Sequence, residues 1–427
     1  MTIAKIRPFG QRYAFVVVGV IFFCLLIAAG LRSSMSVMMV PLEDAFGWRR
    51  DVISLAAAVG IFIYGLAGPF SAALMDRIGL RRTLLAALAI MSVSTALSLL
   101  MTEPWQLIAT WGVMSGIGSG AVATVLGATI VNRWFKTNRG LMMGLMSASA
   151  ATGLLVFLPL LAMLSQWGGW KPVVIAVSIA TAALLPLVWL LVPERPSSIG
   201  LTRYGADGPE PEAVAVPGNF LTLTLVTLRD AARTRVFWYL FATFFICGFT
   251  TNGLVGTHLI AFCGDMGIAE VQAAGLLAVM GIFDLIGTTL SGWLTDRFDP
   301  RKLLGVYYAI RGLSLIYLPY SGFSVAALTI FAVLYGLDWI ATVPPTLRLS
   351  NEAFGDRSGP LVFGWIVAGH QVGAATAAFF GGFMREYQGN YELAFQIAGM
   401  TAIAAAALSM LIEPSKPRDE ASEPQPA

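Results

Sequence analysis

The sequence predicts an all-α membrane protein: twelve transmembrane helices in two six-helix pseudo-repeats. Three observations carry that prediction. Hydrophobic residues make up 57% of the 427 and charged residues 12%, about half the charged share of a soluble domain, so a water-soluble fold would lack polar surface. The apolar segments reach about 18 residues or more, the length that crosses a hydrocarbon core. One loop signature occurs twice, once in each half of the chain. A membrane β-barrel would need alternating strands of about 10 residues, and no such alternation is present.

The segments are expected at about 13–40, 52–75, 83–101, 105–131, 140–165 and 170–192, then 236–263, 271–295, 302–320, 323–349, 359–384 and 391–413. Lys5, Arg7 and Arg12 precede a first segment too long for a signal peptide, so it is expected to stay in the membrane. The polar stretch 193–235 holds Pro193, Pro196, Pro209, Pro211 and Pro217 and reads as a linker. Its end, Leu221 to Arg235, reads as an amphipathic helix on the membrane surface. The domains are then 1–192, the linker 193–235, 236–413, and a disordered tail 414–427. Of the 27 basic residues, Arg49, Arg50, Lys171 and Arg385 fall in the loops on one side, Arg32 and Arg311 fall inside spans, and the rest lie on the other side. That asymmetry puts both termini in the cytoplasm, across a plasma or bacterial inner membrane.

The repeated loop follows the second and eighth segments. It reads Gly68-Pro-Phe-Ser-Ala-Ala-Leu-Met-Asp76-Arg77-Ile-Gly79-Leu-Arg81-Arg82 in the first half and Gly292-Trp-Leu-Thr-Asp296-Arg297-Phe-Asp-Pro-Arg301-Lys302 in the second. An Asp at a helix end can meet an Arg and a neighbouring helix N-terminus. Asp76, Arg77, Gly79, Arg81, Asp296 and Arg297 are therefore candidates for a conformational latch. Two six-helix halves on a linker suit a secondary transporter, whose site lies near the midplane between halves.

These loops, with twelve spans and a mid-chain linker, resemble the major facilitator superfamily over essentially the whole chain. Within it, three stretches resemble the monocarboxylate transporter and oxalate/formate antiporter group: Pro41-Leu-Glu-Asp-Ala-Phe-Gly-Trp48-Arg-Arg-Asp-Val-Ile-Ser54, Asn132-Arg-Trp-Phe135 with Arg139-Gly140-Leu-Met-Met-Gly144, and Thr227-Leu-Arg-Asp-Ala-Ala-Arg-Thr-Arg-Val-Phe237-Trp238. The resemblance implies that Arg32, followed by Ser33 and Val37, stands where those transporters carry a first-helix lysine. Asp284 matches their eighth-helix aspartate. Their arginine four residues later is replaced by Thr288, and His370 stands near an eleventh-helix lysine of the oxalate/formate relatives.

The residues themselves point the same way. Arg32 follows a charge-free run from Tyr13 to Gly30. A guanidinium inside a span costs about 2.5–3.5 kcal/mol by insertion scales, so it needs an anion, a wet cavity or a partner such as Glu43 or Asp44. Its planar fork suits a carboxylate, and Ala28, Ala29, Met35, Ser36 and Met39 on its face leave room. Arg311 is a second candidate: it contacts substrate, or it pairs with Asp338 or Asp284. Asp284 and Asp338 are candidates for proton coupling, since a carboxylate in low dielectric takes up a proton more readily. His258 and His370 are substrate candidates or core histidines bonded to carbonyls. Tyr64 and Asn252 are weaker substrate candidates beside simple helix-to-helix hydrogen bonding. Gly116, Gly118, Gly120 and Gly127 read as close helix packing.

The expected function is secondary active transport of a small organic anion, a monocarboxylate carried with protons, by alternating access. Rivals are an exporter or antiporter of another metabolite or drug, and a transporter-like sensor. No Gly-Pro-rich run marks segment 140–165, which argues against drug exchange. No nucleophile–base pair, phosphate loop or metal cluster points to an enzyme, and Cys24, Cys247 and Cys263 have no CxxC spacing. No cofactor, metal or nucleic acid is expected; the expected partners are the organic acid, protons and the bilayer, around a monomer.

Overall fold

A computed structural model gives the three-dimensional structure, which describes residues 7–122, 124–206, 208 and 220–412. The expected tail 414–427 and much of the linker's proline-rich part lie outside the described residues. Among them, ten helices are long and apolar enough to cross a membrane, and a shorter apolar stretch, Leu155–Gly168, lies within an eleventh. In chain order the helices are α1 Tyr13–Phe46, α2 Arg50–Ile78, α3 Leu80–Ser98, α4 Pro104–Trp134, α5 Arg139–Gly168 and α6 Trp170–Leu191. Then come α7 Arg235–Asp265, α8 Glu270–Thr295, α9 Pro300–Tyr317, α10 Val325–Gly355, α11 Ser358–Gln388 and α12 Glu392–Met410. Helix α9 is the least apolar because it carries Arg301, Lys302 and Arg311.

Local chemistry sets the ends. Helix α1 runs 34 residues, about 50 Å at 1.5 Å per residue, well beyond a core of about 30 Å. Gly47, at φ 66°, stops it by returning its N–H to the Glu43 carbonyl, the left-handed cap that glycine adopts without strain. Gln106 accepts from the Glu103 N–H at the start of α4. Asp299 caps α9 ahead of Pro300, and Ser324 caps α10, both favoured pairings of side chain with free N–H groups. The surface helix expected over Leu221 to Arg235 is shorter, Phe220–Ala231, and Arg235 instead opens α7. The Thr234 hydroxyl accepts from the Phe237 N–H and starts a new helix there.

Three helices depart from regular α geometry. Residues Ile108–Met114 of α4 and Phe249–Val255 of α7 are π-helical, a form that concentrates at functional sites. Helix α10 is interrupted between Asp338 and Val343.

The same three pairs form in each half of the chain: α1 with α5, α2 with α4 and α3 with α6, then α7 with α11, α8 with α10 and α9 with α12. Glycines allow the approach. Gly116 lies on the Gly60 carbonyl, Gly118 on Met91, Gly120 on Ala67 and Gly127 on Met146, as expected for close packing. The halves meet through α2 on α11, α1 on α7 and α5 on α8. Ala58 packs with Ala375 and Ala378, and Gly65 lies on Gln371 at mid-helix. Outward-facing Phe23, Trp105, Ile179, Leu313 and Val325 are exposed, which suits a surface solvated by lipid.

Candidate functional site

Arg32 lies in a cavity of about 50 Å³ where α1, α2 and α4 meet α7. Its polar lining is Arg32, Ser36, Trp111, Ser115, Ser119 and Thr257. The Arg32 guanidinium sits 4.6 Å from the centre of the Tyr64 ring, a cation–π contact. Its Nη1 is buried without a hydrogen-bond partner. The alternative pairing with an outer acid is not formed: Glu43 is held by Arg50 at 2.6 Å, and Asp44 is exposed. The structure therefore leaves an uncompensated cation facing an internal space between the two halves.

Arg311 has the opposite environment. It is fully buried and every nitrogen of its guanidinium has a partner. Nε donates to Asp338 Oδ2 at 2.6 Å, Nη2 to the Asp338 and Trp339 carbonyls at 2.5 and 3.3 Å, and Nη1 to Cys247 Sγ at 3.0 Å and Thr250 Oγ1 at 3.5 Å. The two carbonyls are those freed where α10 unwinds. Asp284 serves the other side of that break: its Oδ1 accepts from the Ile340 N–H and from Thr288 Oγ1, both at 2.9 Å. Thr288, which stands where the resemblance placed an arginine, thus donates to Asp284. Between Asp338 and Asp284, Arg311 pairs with Asp338, and that carboxylate keeps one buried oxygen, Oδ1, without a partner.

The remaining candidates are dispersed. His258 is fully buried, with Nε2 2.7 Å from the Ala378 carbonyl of α11, which is the core-histidine arrangement. His370 is partly buried and packs on Phe244, with ring centres 5.1 Å apart. Asn252 is exposed, and its carbonyl accepts from Thr257 Oγ1 at 3.0 Å within the π segment. Tyr64, beneath Arg32, is the one of these four that the structure brings to the cavity cation.

The sequence reading missed two features. The first is Trp111, which lines the Arg32 cavity and whose Nε1 is buried and unpartnered. The second is a charge knot at the end of the molecule opposite the termini. Arg50, nearly buried, donates to Glu43 at 2.6 Å, to Asp265 at 3.0 Å and to the Tyr391 hydroxyl at 3.4 Å. Arg385 reaches the same Asp265 at 2.6 Å, and Arg49 lies 3.5 Å from Glu386. The knot ties α1 and α2 to α7, α11 and the start of α12. Its sequence signals were two adjacent arginines on the side otherwise poor in basic residues and their place in the stretch Pro41 to Ser54.

The Major Facilitator Superfamily model matches residues 21–356 and 265–427. The chain belongs to the major facilitator superfamily. It is thus one of that superfamily's membrane carriers and not an enzyme. It is 27% identical to monocarboxylate transporter 13 of Rattus norvegicus over 90% of this chain and 85% of that one. It is 23% identical to the oxalate:formate antiporter of Oxalobacter formigenes over 95% and 92%. The fold is similar to that of a crystallised D-xylose-proton symporter, with a TM-score of 0.73 at 14% identity over 94% of this chain and 98% of that one.

In this superfamily member the repeated loops sit at the end that carries the termini. Gly79, at φ 98°, turns α2 into α3. The Arg81 N–H donates to Glu194 at 3.1 Å, and its guanidinium covers Trp189 at 4.5 Å. Arg297 covers Trp293 at 4.1 Å and donates to its carbonyl. Arg77 and Asp296 are exposed, and the Asp76 side chain lies outside what the structure describes. Beside them Arg301 bonds Asp299 at 2.6 Å and holds its carboxyl below the ordinary range.

Proposed function

We propose that the protein is a secondary active transporter of small organic anions, a proton-coupled monocarboxylate transporter working by alternating access. The observation that carries this reading is the Arg32 guanidinium, with one buried nitrogen unpartnered, in a cavity between the halves. A monoanion supplies both the missing charge and the missing acceptors. The printed names of relatives, a monocarboxylate transporter and an oxalate:formate antiporter, support the same substrate class.

In this reading the chain divides at 1–192 and 236–413 into two rocking bundles, the linker and both termini face the cytoplasm, and the end tied by the charge knot is closed and faces outward. Arg32 and Tyr64 orient the carboxylate. Arg311 braces the break in α10 instead of touching substrate. The free Oδ1 of Asp338, with Asp284 as the alternative, takes the proton. One proton with one monoanion is electroneutral, so flux follows the pH gradient. Proteoliposomes with an inward proton gradient are expected to accumulate a labelled monocarboxylate, and an uncoupler to abolish it. Accumulation that survives the uncoupler refutes proton symport. If it also requires a trapped anion, the protein is an exchanger, the rival that the antiporter relative favours.

The charge knot gives the outer gate. Removing one partner of a largely buried ion pair costs about 3–5 kcal/mol, and here the loss falls on the sealed state alone. Arg50→Ala should therefore shift the population toward opening on that side. The measurement is labelling of Met39→Cys, which lies against the Tyr391 hydroxyl at 3.8 Å, by a membrane-impermeant thiol reagent, with the three native cysteines replaced. Labelling should rise about tenfold or more, a shift of about 1.4 kcal/mol. Unchanged labelling removes the gate assignment.

A further inference from the structure

We propose that Trp111 is the second anion-binding donor of the Arg32 cavity: its Nε1–H takes one carboxylate oxygen while Arg32 Nη1 takes the other, so that the site holds a compact monocarboxylate. This rests on the transport reading above and adds to it a residue, a binding geometry and a size class.

The argument starts from donors without acceptors. An indole N–H and a guanidinium N–H can only donate, and a buried donor without a partner is a costly exception in folded proteins. Here two such exceptions, Arg32 Nη1 and Trp111 Nε1, belong to residues that line one cavity of about 50 Å³. They come from different helices, α1 and α4, so no single local distortion leaves both bare. Trp111 is 5% exposed, and the α4 π turn of Ile108–Met114 carries it. The facing wall, Gly256 and Thr257, follows directly on the π turn of α7. The α4 π turn therefore borders the cavity through Trp111, and the α7 π turn adjoins its facing wall.

The rest of the lining decides the ligand. Among the described residues it contains no carboxylate to serve as counter-charge. Three hydroxyls have already committed their protons: Ser36 to the Ser33 carbonyl at 2.7 Å, Ser119 to that of Gly116 at 3.4 Å, and Thr257 to that of Asn252 at 3.0 Å. Beside the Ser115 hydroxyl, the buried donors left without partners are one cationic and one neutral N–H, which suits two oxygens sharing one negative charge. A second carboxylate would find no second cation in the lining and would be buried unpaired, which disfavours dicarboxylates. The volume is small: one water needs roughly 10–15 Å³ on the same measure, so the space takes a few water-sized groups. A carboxylate with one or two further carbons matches it.

The test uses the purified full chain in nanodiscs with acetate, propionate and malonate, read by calorimetry. Wild type should bind acetate and propionate and not malonate. Arg32→Gln should bind none. Trp111→Phe, which keeps an aromatic ring and removes the N–H, should weaken acetate about tenfold at an unchanged unliganded melting temperature, and Trp111→His should recover part of the loss. A purely structural tryptophan predicts the reverse pattern, a lowered melting temperature with an unchanged Kd. If Arg32→Gln abolishes binding while Trp111→Phe binds as wild type does, the Trp111 assignment is overturned and the transport reading stands. If wild type binds no monocarboxylate, both fall. Should Trp111→Phe not fold, wild type with 15N-labelled indoles answers: one indole N–H resonance must move downfield with acetate and stay fixed in Arg32→Gln. No such movement overturns the proposal.

Discussion

Arg311→Met is expected to destabilise the protein by about 3–5 kcal/mol, the cost of leaving a buried ionic partner alone. The loss has three parts. Asp338 is left buried with its 2.6 Å partner gone. The Asp338 and Trp339 carbonyls, exposed by the break in α10, lose their donor. Cys247 and Thr250 lose the contact that ties α7 to α9. Arg311→Met with Asp338→Leu should recover much of the loss, because replacing both partners of a buried pair by apolar groups is often neutral or better. Thermal unfolding of the purified variants checks this. A single variant as stable as wild type would show that the break needs no brace. A double variant no better than the single would show that the carbonyl bonds matter more than the pair.

Arg32→Gln should have the opposite profile. Monocarboxylate affinity should fall about 100-fold or more, about 2.7 kcal/mol or above, because a charge-assisted hydrogen bond and the charge itself both disappear. Stability should stay level or rise, because the residue removed has a buried nitrogen that no protein group satisfies, and functional sites commonly hold strain of this kind. Arg32→Lys should fall between, keeping charge and losing the planar fork. Binding titrations paired with unfolding curves read both quantities at once. A large loss of stability with unchanged affinity would make Arg32 a structural residue and Arg311 the better anion candidate. The two intramembrane arginines thus form a contrast, one fully satisfied and one left open.

Much of this was legible before any coordinates. The number and order of the helices follow from segment hydropathy, because each apolar stretch meets its own requirement for lipid by itself. Helix α1 overran its expected end because cost in lipid bounds the apolar span, not the helix, and residues 41–46 continue in regular geometry beyond it. That Arg32 and Arg311 needed explaining was also plain, since charge is costly in a span whatever surrounds it.

What the chain of letters could not say is which of the two had found its partners. Asp284 and Asp338 were both available to Arg311, and the unwinding at residues 339–342 gave it Asp338 together with two carbonyls. Trp111 looked like any apolar-face aromatic until a π turn brought it to the cavity with its N–H unpartnered. Arg50 looked like loop decoration until the halves closed around it. Burial in lipid is a local, additive property of a segment, so sequence alone determined the spans and the carrier class. Pairing depends on how far each helix is rotated and where it breaks, and only the packing of twelve helices against one another decides that.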